Sequence, residues 1–381
     1  MNVYVDNAAT TKLSEKAFEA MVPYLKDHFA NPSGTYSEGV FCRRGVNNAR
    51  HIIAESLRAF DKEIIFTAGG SEADNLAIKG VMEANQDRGR HMITTNIEHH
   101  ALLESCKWLE KNGYRVTYVP VKPNGIVDPL DIFNAIREDT VLISVMYANN
   151  ELGTLQPIEE IGKIAKENNI LFHTDAVQAY GKFPINPAVL HIDLLSASAH
   201  KINGPKGAGF LYVKSGTRIA PHINGGSQER GLRGGTENVA AIAGFEAAVK
   251  EAFSNAKERE LKEIILRDNL CDMITDSIEG VTVNGDNKAV LPNILNLSFD
   301  GIEGDSLLIM LDMKGISASS GSACAQSLEE PSHVLLAIGK SYEEARSSIR
   351  FSISYENTME EMEYLVEKLK ESVEYLRRIR A

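Results

Sequence analysis

The chain has 381 residues, with 40 Lys and Arg against 52 Asp and Glu, a formal charge of −12. Hydrophobic residues make up 43% and charged residues 24%, a globular balance that excludes a disordered or fibrous chain. The acidic excess argues against a general nucleic-acid binder, and no apolar run approaches the ~18 residues of a membrane span. At ~150 residues per domain the length suggests two or three domains.

The first residues, MNVYVDNAATTK, hold an acid at Asp6 and no long apolar stretch, so they do not read as a secretion signal. Strand-like and helix-like segments then alternate. The run at 63–68 precedes a helical pattern from Ser71, and 91–96 precedes one ending at the stop signal Asn112-Gly113. The run at 115–121 leads to the turn Pro123-Asn124-Gly125, and Asp128-Pro129 caps a short helix. Apolar runs at 140–148, 170–176, 193–199 and 209–214, with a helix from Pro157, continue the pattern. Apolar strands between helices predict an α/β fold, a mostly parallel sheet covered on both faces. Residues 237–278 read as nearly unbroken helix. Shorter strands follow at 281–285, 293–299 and 348–353, then a final helix from Thr358 with Met362, Leu365, Val366, Leu369, Val373 and Leu376 on one stripe.

Sites in such sheets gather where the strands end. Gly69-Gly70-Ser71 stands between strand and helix, where free N–H groups and a hydroxyl can hold an anion. It matches neither a dinucleotide fingerprint nor a Walker loop, and a plain turn is the rival reading. Asp175 and Gln178 follow one strand; an acid there can cap a helix or pair with a protonated ring nitrogen. Ser198, His200 and Lys201 follow the next. A lysine placed there is ordinarily a solvated surface group; in a cleft its pKa can fall and it can form a Schiff base. A phosphate cradle, an acid and a lysine at successive strand ends are what pyridoxal phosphate requires.

The ordered segments VYVDNAATT, FANPSG, FTAGGSEADNLAIKG, EHHALLES, NNELGTLQPI, HTDAVQAYGK, SASAHKINGPKGAG, RGGTEN, SSGSACA and SSIRFS resemble those of NifS/IscS-type cysteine desulfurases. The likeness covers nearly the whole chain. It implies a pyridoxal-phosphate-dependent, aminotransferase-like α/β fold with a smaller α+β domain. Residues 14–258 would form the large domain, and 1–13 with 259–381 the small one. By that resemblance Lys201 forms the Schiff base, Asp175 lies under the pyridine nitrogen and His99 stacks on the ring. Gln178 and Asn150 approach the ring hydroxyl. Gly70, Ser71, Ser198 and His200 cradle the phosphate, and Thr236 serves the neighbouring subunit's phosphate, which implies a homodimer. Asn31 and Arg350 would hold the substrate carboxylate, for which a guanidinium fork is suited. His100 keeps an ordinary reading.

The cysteines stand at 42, 106, 271 and 324 without a CxxC pair, so neither a zinc knuckle nor a disulfide framework is expected, no metal site is expected, and a reducing cytoplasm is the simplest home. Cys106 and Cys271 lie within helices, where packing is the default. Cys42 sits beside Arg43 and Arg44 and reads as structural or incidental. Cys324, in a Ser-, Gly- and Ala-rich segment, matches the family's nucleophile on a longer loop. Two features depart from the family. Tyr36 stands where many relatives carry histidine, and the chain stops at LRRIRA soon after its last helix, so scaffold docking in the IscS manner does not follow.

The activity implied is conversion of L-cysteine to L-alanine, with the sulfur carried as a Cys324 persulfide to an acceptor protein such as an iron–sulfur scaffold. A selenocysteine lyase-type enzyme and an inactive sulfur-delivery partner are the rivals. Intact Lys201, Asp175 and Cys324 speak against the second.

Overall fold

Burial on both sides explains the continuous apolar runs. The computed structural model describes residues 1–320 and 330–380. The first part of the chain contains β1 (Val3–Tyr4), α1 (Glu15–Lys26), α2 (Ser37–Ser56), β2 (Ile64–Thr67), α3 (Gly70–Ala84), β3 (His91–Thr95), α4 (His100–Lys111) and β4 (Arg115–Val119). There follow α5 (Pro129–Asn134), β5 (Thr140–Ser144), α6 (Ile158–Glu167), β6 (Leu171–Asp175), β7 (Leu194–Ser198), β8 (Gly209–Val213) and α7 (Val239–Ser254). The remainder contains α8 (Ala256–Ser277), β9 (Val281–Val283), β10 (Ile294–Phe299), α9 (Gly304–Asp312), β11 (Ile316–Ser317), α10 (His333–Ala337), α11 (Tyr342–Arg346), β12 (Ser348–Ser352) and α12 (Met359–Arg380).

A seven-stranded sheet runs in the order β2-β8-β7-β6-β5-β3-β4. Its pairings are parallel except that β8 runs against both β2 and β7. Successive strand residues point to opposite faces. Phe66, Ile93, Ile143, Leu195 and Phe210 therefore enter one apolar cluster, while Ile65, Met92, Leu142, Leu194 and Leu211 enter another on the opposite face. Because β2, β3, β5, β6 and β7 run the same way, their carboxyl ends open at one edge.

A second core is built by chain ends that are distant in sequence. β12, β10 and β9 form an antiparallel sheet, and β1 pairs in parallel with β11. Val3 and Val5 pack there with Leu266, Leu270, Leu297, Phe351, Leu365 and Leu369. The α12 stripe is largely as read: Met362, Leu365, Leu369, Val373 and Leu376 are buried, and Val366 packs at its margin.

The expected continuous helix over 237–278 is two helices. α7 ends at Ser254, Asn255 leaves the helical region at φ −130°, and α8 begins at Ala256. The two helices bury their faces in different places. Phe245, Ala248, Val249 and Ala252 enter the sheet-domain core, whereas Leu266, Leu270 and Ile274 enter the second core. The break lets the chain change partners. The run read at 140–148 also leaves the sheet after Ser144, and Met146, Ala148, Asn150 and Glu151 beyond it line a cleft.

Candidate active site

The strand ends and the second core enclose a cavity of about 260 Å³. Gly70, Ser71, His99, Asn150, Asp175, Gln178, Ser198, His200, Lys201 and Arg350 all line it.

The anion end is set by α3. Gly69 adopts φ +152°, a conformation suited to glycine, and a Cβ on Gly70 would stand 2.6 Å from Val177. The chain can thus turn tightly from β2 into α3 and present helix-start N–H groups to the cavity. The Ser198 hydroxyl is buried and has no partner among the described residues. An oxyanion seated here would satisfy it.

Asp175 ends β6 and is 6% exposed. Burial pushes its carboxyl up to about 6, opposed by the Val177 amide, which donates to it at 2.9 Å, and by the Lys201 charge. Lys201 donates through Nζ to the carbonyls of Ala8 and Ala9 at 2.5 and 2.9 Å. Gln178 also donates to the Ala8 carbonyl. The N-terminal segment is therefore folded against the lysine.

His99 caps α4, its Nδ1 accepting from the Ala101 amide. That bond leaves the ring proton on Nε2. Burial, aided by the Lys201 charge, lowers His99 to about 4, and burial likewise lowers His200 to about 4. Both rings are neutral near pH 7. The rings of His100 and His333 lie 4.8 Å apart in the same wall.

Arg350, 2% exposed on β12, forms the second-core side. Nη2 donates to Asp6 at 2.7 Å and Nη1 to the Asn150 carbonyl at 2.9 Å. Its buried Nε has no partner among the described residues, which leaves donor capacity for a carboxylate. Asn31 and Thr236 do not line this cavity. They share a separate one with Leu25 and Phe29. Tyr36 stands before α2, 57% exposed. Cys324 lies outside the described residues. Cys42 is buried and its thiol donates to the His28 carbonyl. Cys106 is buried against Met92, and burial pushes its thiol up, so neither reads as a nucleophile.

Sequence reasoning passed over Asp74, Glu98 and Glu151. Asp74 and Glu151 line the cavity. Glu98 sits behind it, accepting from Thr95 Oγ1 and the Met146 amide, with burial raising it to about 8. Glu151 accepts from Ser332 Oγ at 2.5 Å, and burial raises its carboxyl too. Each acid lies within or beside a segment quoted above, yet nothing in the sequence tells a buried acid from a solvated one.

Residues 3–365 match the family model for aminotransferase class-V. A curated relative from Methanosarcina thermophila named "Cysteine desulfurase IscS" is 49% identical over 98% of this chain and 93% of its own length. A solved structure titled "NifS-like protein" superposes with a TM-score of 0.93 at 37% identity, covering 99% of this chain and 100% of that one. Another, "SspA in complex with cysteine", gives 0.82 at 38% identity, covering 94% and 100%. The chain belongs to the aminotransferase class-V family and, within it, to the NifS/IscS-type cysteine desulfurases.

Proposed function

We propose that this cysteine desulfurase converts L-cysteine to L-alanine in the cavity described, with pyridoxal phosphate as cofactor, and passes the sulfur through Cys324 to an acceptor protein. The observation that carries the reading is the convergence of Lys201, Asp175, His99 and an unpartnered Ser198 hydroxyl on one cavity at the start of α3. This donor set fits the cofactor. The α3 start with Ser71, Ser198 and His200 would hold its phosphate. Asp175 would meet the ring nitrogen, Gln178 and Asn150 the ring hydroxyl, and His99 the ring face. When bound, the group supplies a sink for the electron pair left as a Cα–H bond breaks.

The chain's own residues do the rest. Arg350 holds the substrate carboxylate. Lys201 would take the Cα proton and later return one. Asp175 would supply a negative charge to the ring nitrogen. The Cys324 thiolate attacks the substrate sulfur. An S–S bond forms as the Cβ–S bond breaks, and that pair stays with the carbon fragment, which is protonated on the way to alanine. The acceptor, an iron–sulfur scaffold or a thiolation protein, then removes the persulfide sulfur.

The protein acts as a homodimer in this reading, with Thr236 serving the partner's phosphate site and Asn31 joining Arg350 at the substrate carboxylate. Leu25, 63% exposed, and Phe29, 83% exposed, border the cavity that Thr236 and Asn31 share, which supports burial of that face by a second copy. Residues 14–258 are the cofactor-binding domain, and 1–13 with 259–381 the small one. No described helix is long and apolar enough to cross a membrane, in keeping with a cytoplasmic enzyme.

Incubation of the purified protein with L-cysteine tests the reading. Alanine should accumulate, and mass spectrometry should place one extra sulfur on Cys324. Sulfur on Cys42 with Cys324 unmodified, or no alanine with the cofactor bound, would overturn it.

A further inference from the structure

A second carboxyl group stands in the wall that holds Asp175. Asp74, on α3, is 1% exposed and lines the same cavity. Its Oδ1 has no hydrogen-bond partner among the described residues. His173 Nε2 lies 3.8 Å away, beyond hydrogen-bond reach. That imidazole has hydroxyls at both nitrogens, Ser144 at 2.8 Å and Ser196 at 3.0 Å, and burial lowers it to about 3. It is neutral and supplies no cation. A buried carboxylate with an orphaned oxygen and no counter-charge is costly, and two carboxylates in one dry wall are costlier.

We propose that Asp74 is a positioning residue for Asp175: the two form a buried acid pair in which Asp74 keeps the proton and Asp175 is the single negative charge at the floor of the cleft.

The surroundings support this division. The charged and titratable groups around Asp74 are Asp175 and His173 on β6 and Glu98 before α4. Across the cavity stand Lys201, His99, His100, His200, His333, Glu151 and Arg350. Burial above all, then the Asp175 charge, disfavours a charge on Asp74; the Ser196 hydroxyl tempers this and Glu98 adds a little to it. Asp175, by contrast, has the Val177 amide and the Lys201 charge on its side. One member of the pair is equipped to be the anion and the other is not. The outcome is a floor with one negative charge, matching one protonated ring nitrogen. An ionised Asp74 would add a second charge that nothing at the floor balances.

The inference rests on Asp175 as the cofactor's charge partner, and the test is arranged so that the two can fail separately. The full chain, freed of cofactor, is compared with Asp74→Asn by thermal midpoint from about pH 5 to about pH 8. A carboxyl raised above its unfolded value of ~3.9 keeps a proton that the unfolded chain has lost, so stability falls as pH rises. Asparagine has no such proton. The midpoint of Asp74→Asn should therefore gain steadily on wild type as pH rises, whereas a merely structural role gives a constant offset and overturns the proposal. Should the variant not fold, infrared spectra of the wild type with carbon-13 in its aspartate carboxyls give the answer. A protonated-aspartate band should persist at about pH 8, above the range where Asp175 ionises, and its absence refutes the assignment. Pairing is reciprocal, so Asp175→Asn should lower the pH at which that band disappears; an unmoved band refutes the pair. The charge-partner reading fails by a different sign, an Asp175→Ala enzyme that keeps the wild-type cofactor spectrum.

Discussion

The two walls of the cleft are built in opposite ways. The sheet wall comes from strand ends: Asp175 is the last residue of β6, and Ser71, His99 and Lys201 sit three or four residues beyond β2, β3 and β7. The second wall is assembled from pieces far apart in the chain. Arg350 comes from β12, Asp6 from just after β1, and Asn150 from the loop after β5. The first wall is held because each anchor ends or closely follows a buried strand. The second is rigid because one buried guanidinium is tied to both a carboxylate and a carbonyl. The sheet wall is suited to bond chemistry, where position must not drift. The guanidinium wall is suited to recognition of a carboxylate.

If that division holds, mutations in the two walls should split by kinetic signature. Lys201→Ala should have the largest effect, because in the proposed mechanism it would remove both the link to the cofactor and the base. Alanine production should fall by at least about 10³-fold, near the upper range for loss of a general base, even with cofactor in excess. Near-wild-type turnover would remove Lys201 from the mechanism. Asp175→Ala comes next, with a loss of about 10²-fold in kcat and an altered spectrum of the bound cofactor. A variant with the wild-type spectrum and rate would make Asp175 only the cap that its bond to Val177 suggests. Arg350→Lys should act chiefly on KM. Lysine keeps the charge but loses the fork that reaches Asp6, Asn150 and a carboxylate together. A KM increase of about 10-fold or more with a smaller change in kcat is expected. A loss confined to kcat would place Arg350 with the chemical wall.

The same contrast governs what could be read in advance. Strands β2 to β8 were legible because buried apolar runs between helices announce a covered sheet. Gly70, Ser71, Asp175, Gln178, Ser198, His200 and Lys201 are legible because strand ends are where sites form, whereas His99, Asn150 and Arg350 are legible only through the family resemblance. The second core was only partly legible. Helices α1 and α2 gave no signal that was read, the pairing of β1 with β11 joins residues 3 and 316, and the break at Asn255 reflects a change of packing partner. In the sequence Asp6 is only an acid near the start of the chain. Its bond to Arg350 depends on tertiary folding. Thr236 and Asn31 share a cavity apart from the catalytic one, and the order of motifs along a chain carries no distance between folded segments.

Glu98 sharpens the comparison with a smaller, purely thermodynamic effect. It is buried behind the sheet wall, tied to Thr95 and Met146, and raised to about 8. Near neutral pH it is protonated in the folded protein and ionised in the unfolded chain, whose glutamates titrate near ~4.3. The folded state then binds the extra proton. Stability falls as pH rises from about 4.3 to about 8, and the slope from this one group cannot exceed about 1.4 kcal/mol per pH unit. The depressed histidines act oppositely and at lower pH. His99 and His200, lowered to about 4, withdraw stability as pH falls from about 6.5 toward 4. From about pH 7 to about pH 8 His99 and His200 are largely neutral in both states, and comparing wild type with Glu98→Gln cancels the slope that Asp74 adds to both. Glu98→Gln keeps a group able to accept the Thr95 and Met146 hydrogen bonds and removes the titration. Denaturant unfolding across that window should show a shallower loss of stability with rising pH than wild type. An identical slope would mean that Glu98 is ionised in place, and the sheet wall would then carry a buried charge that its hydrogen bonds alone sustain.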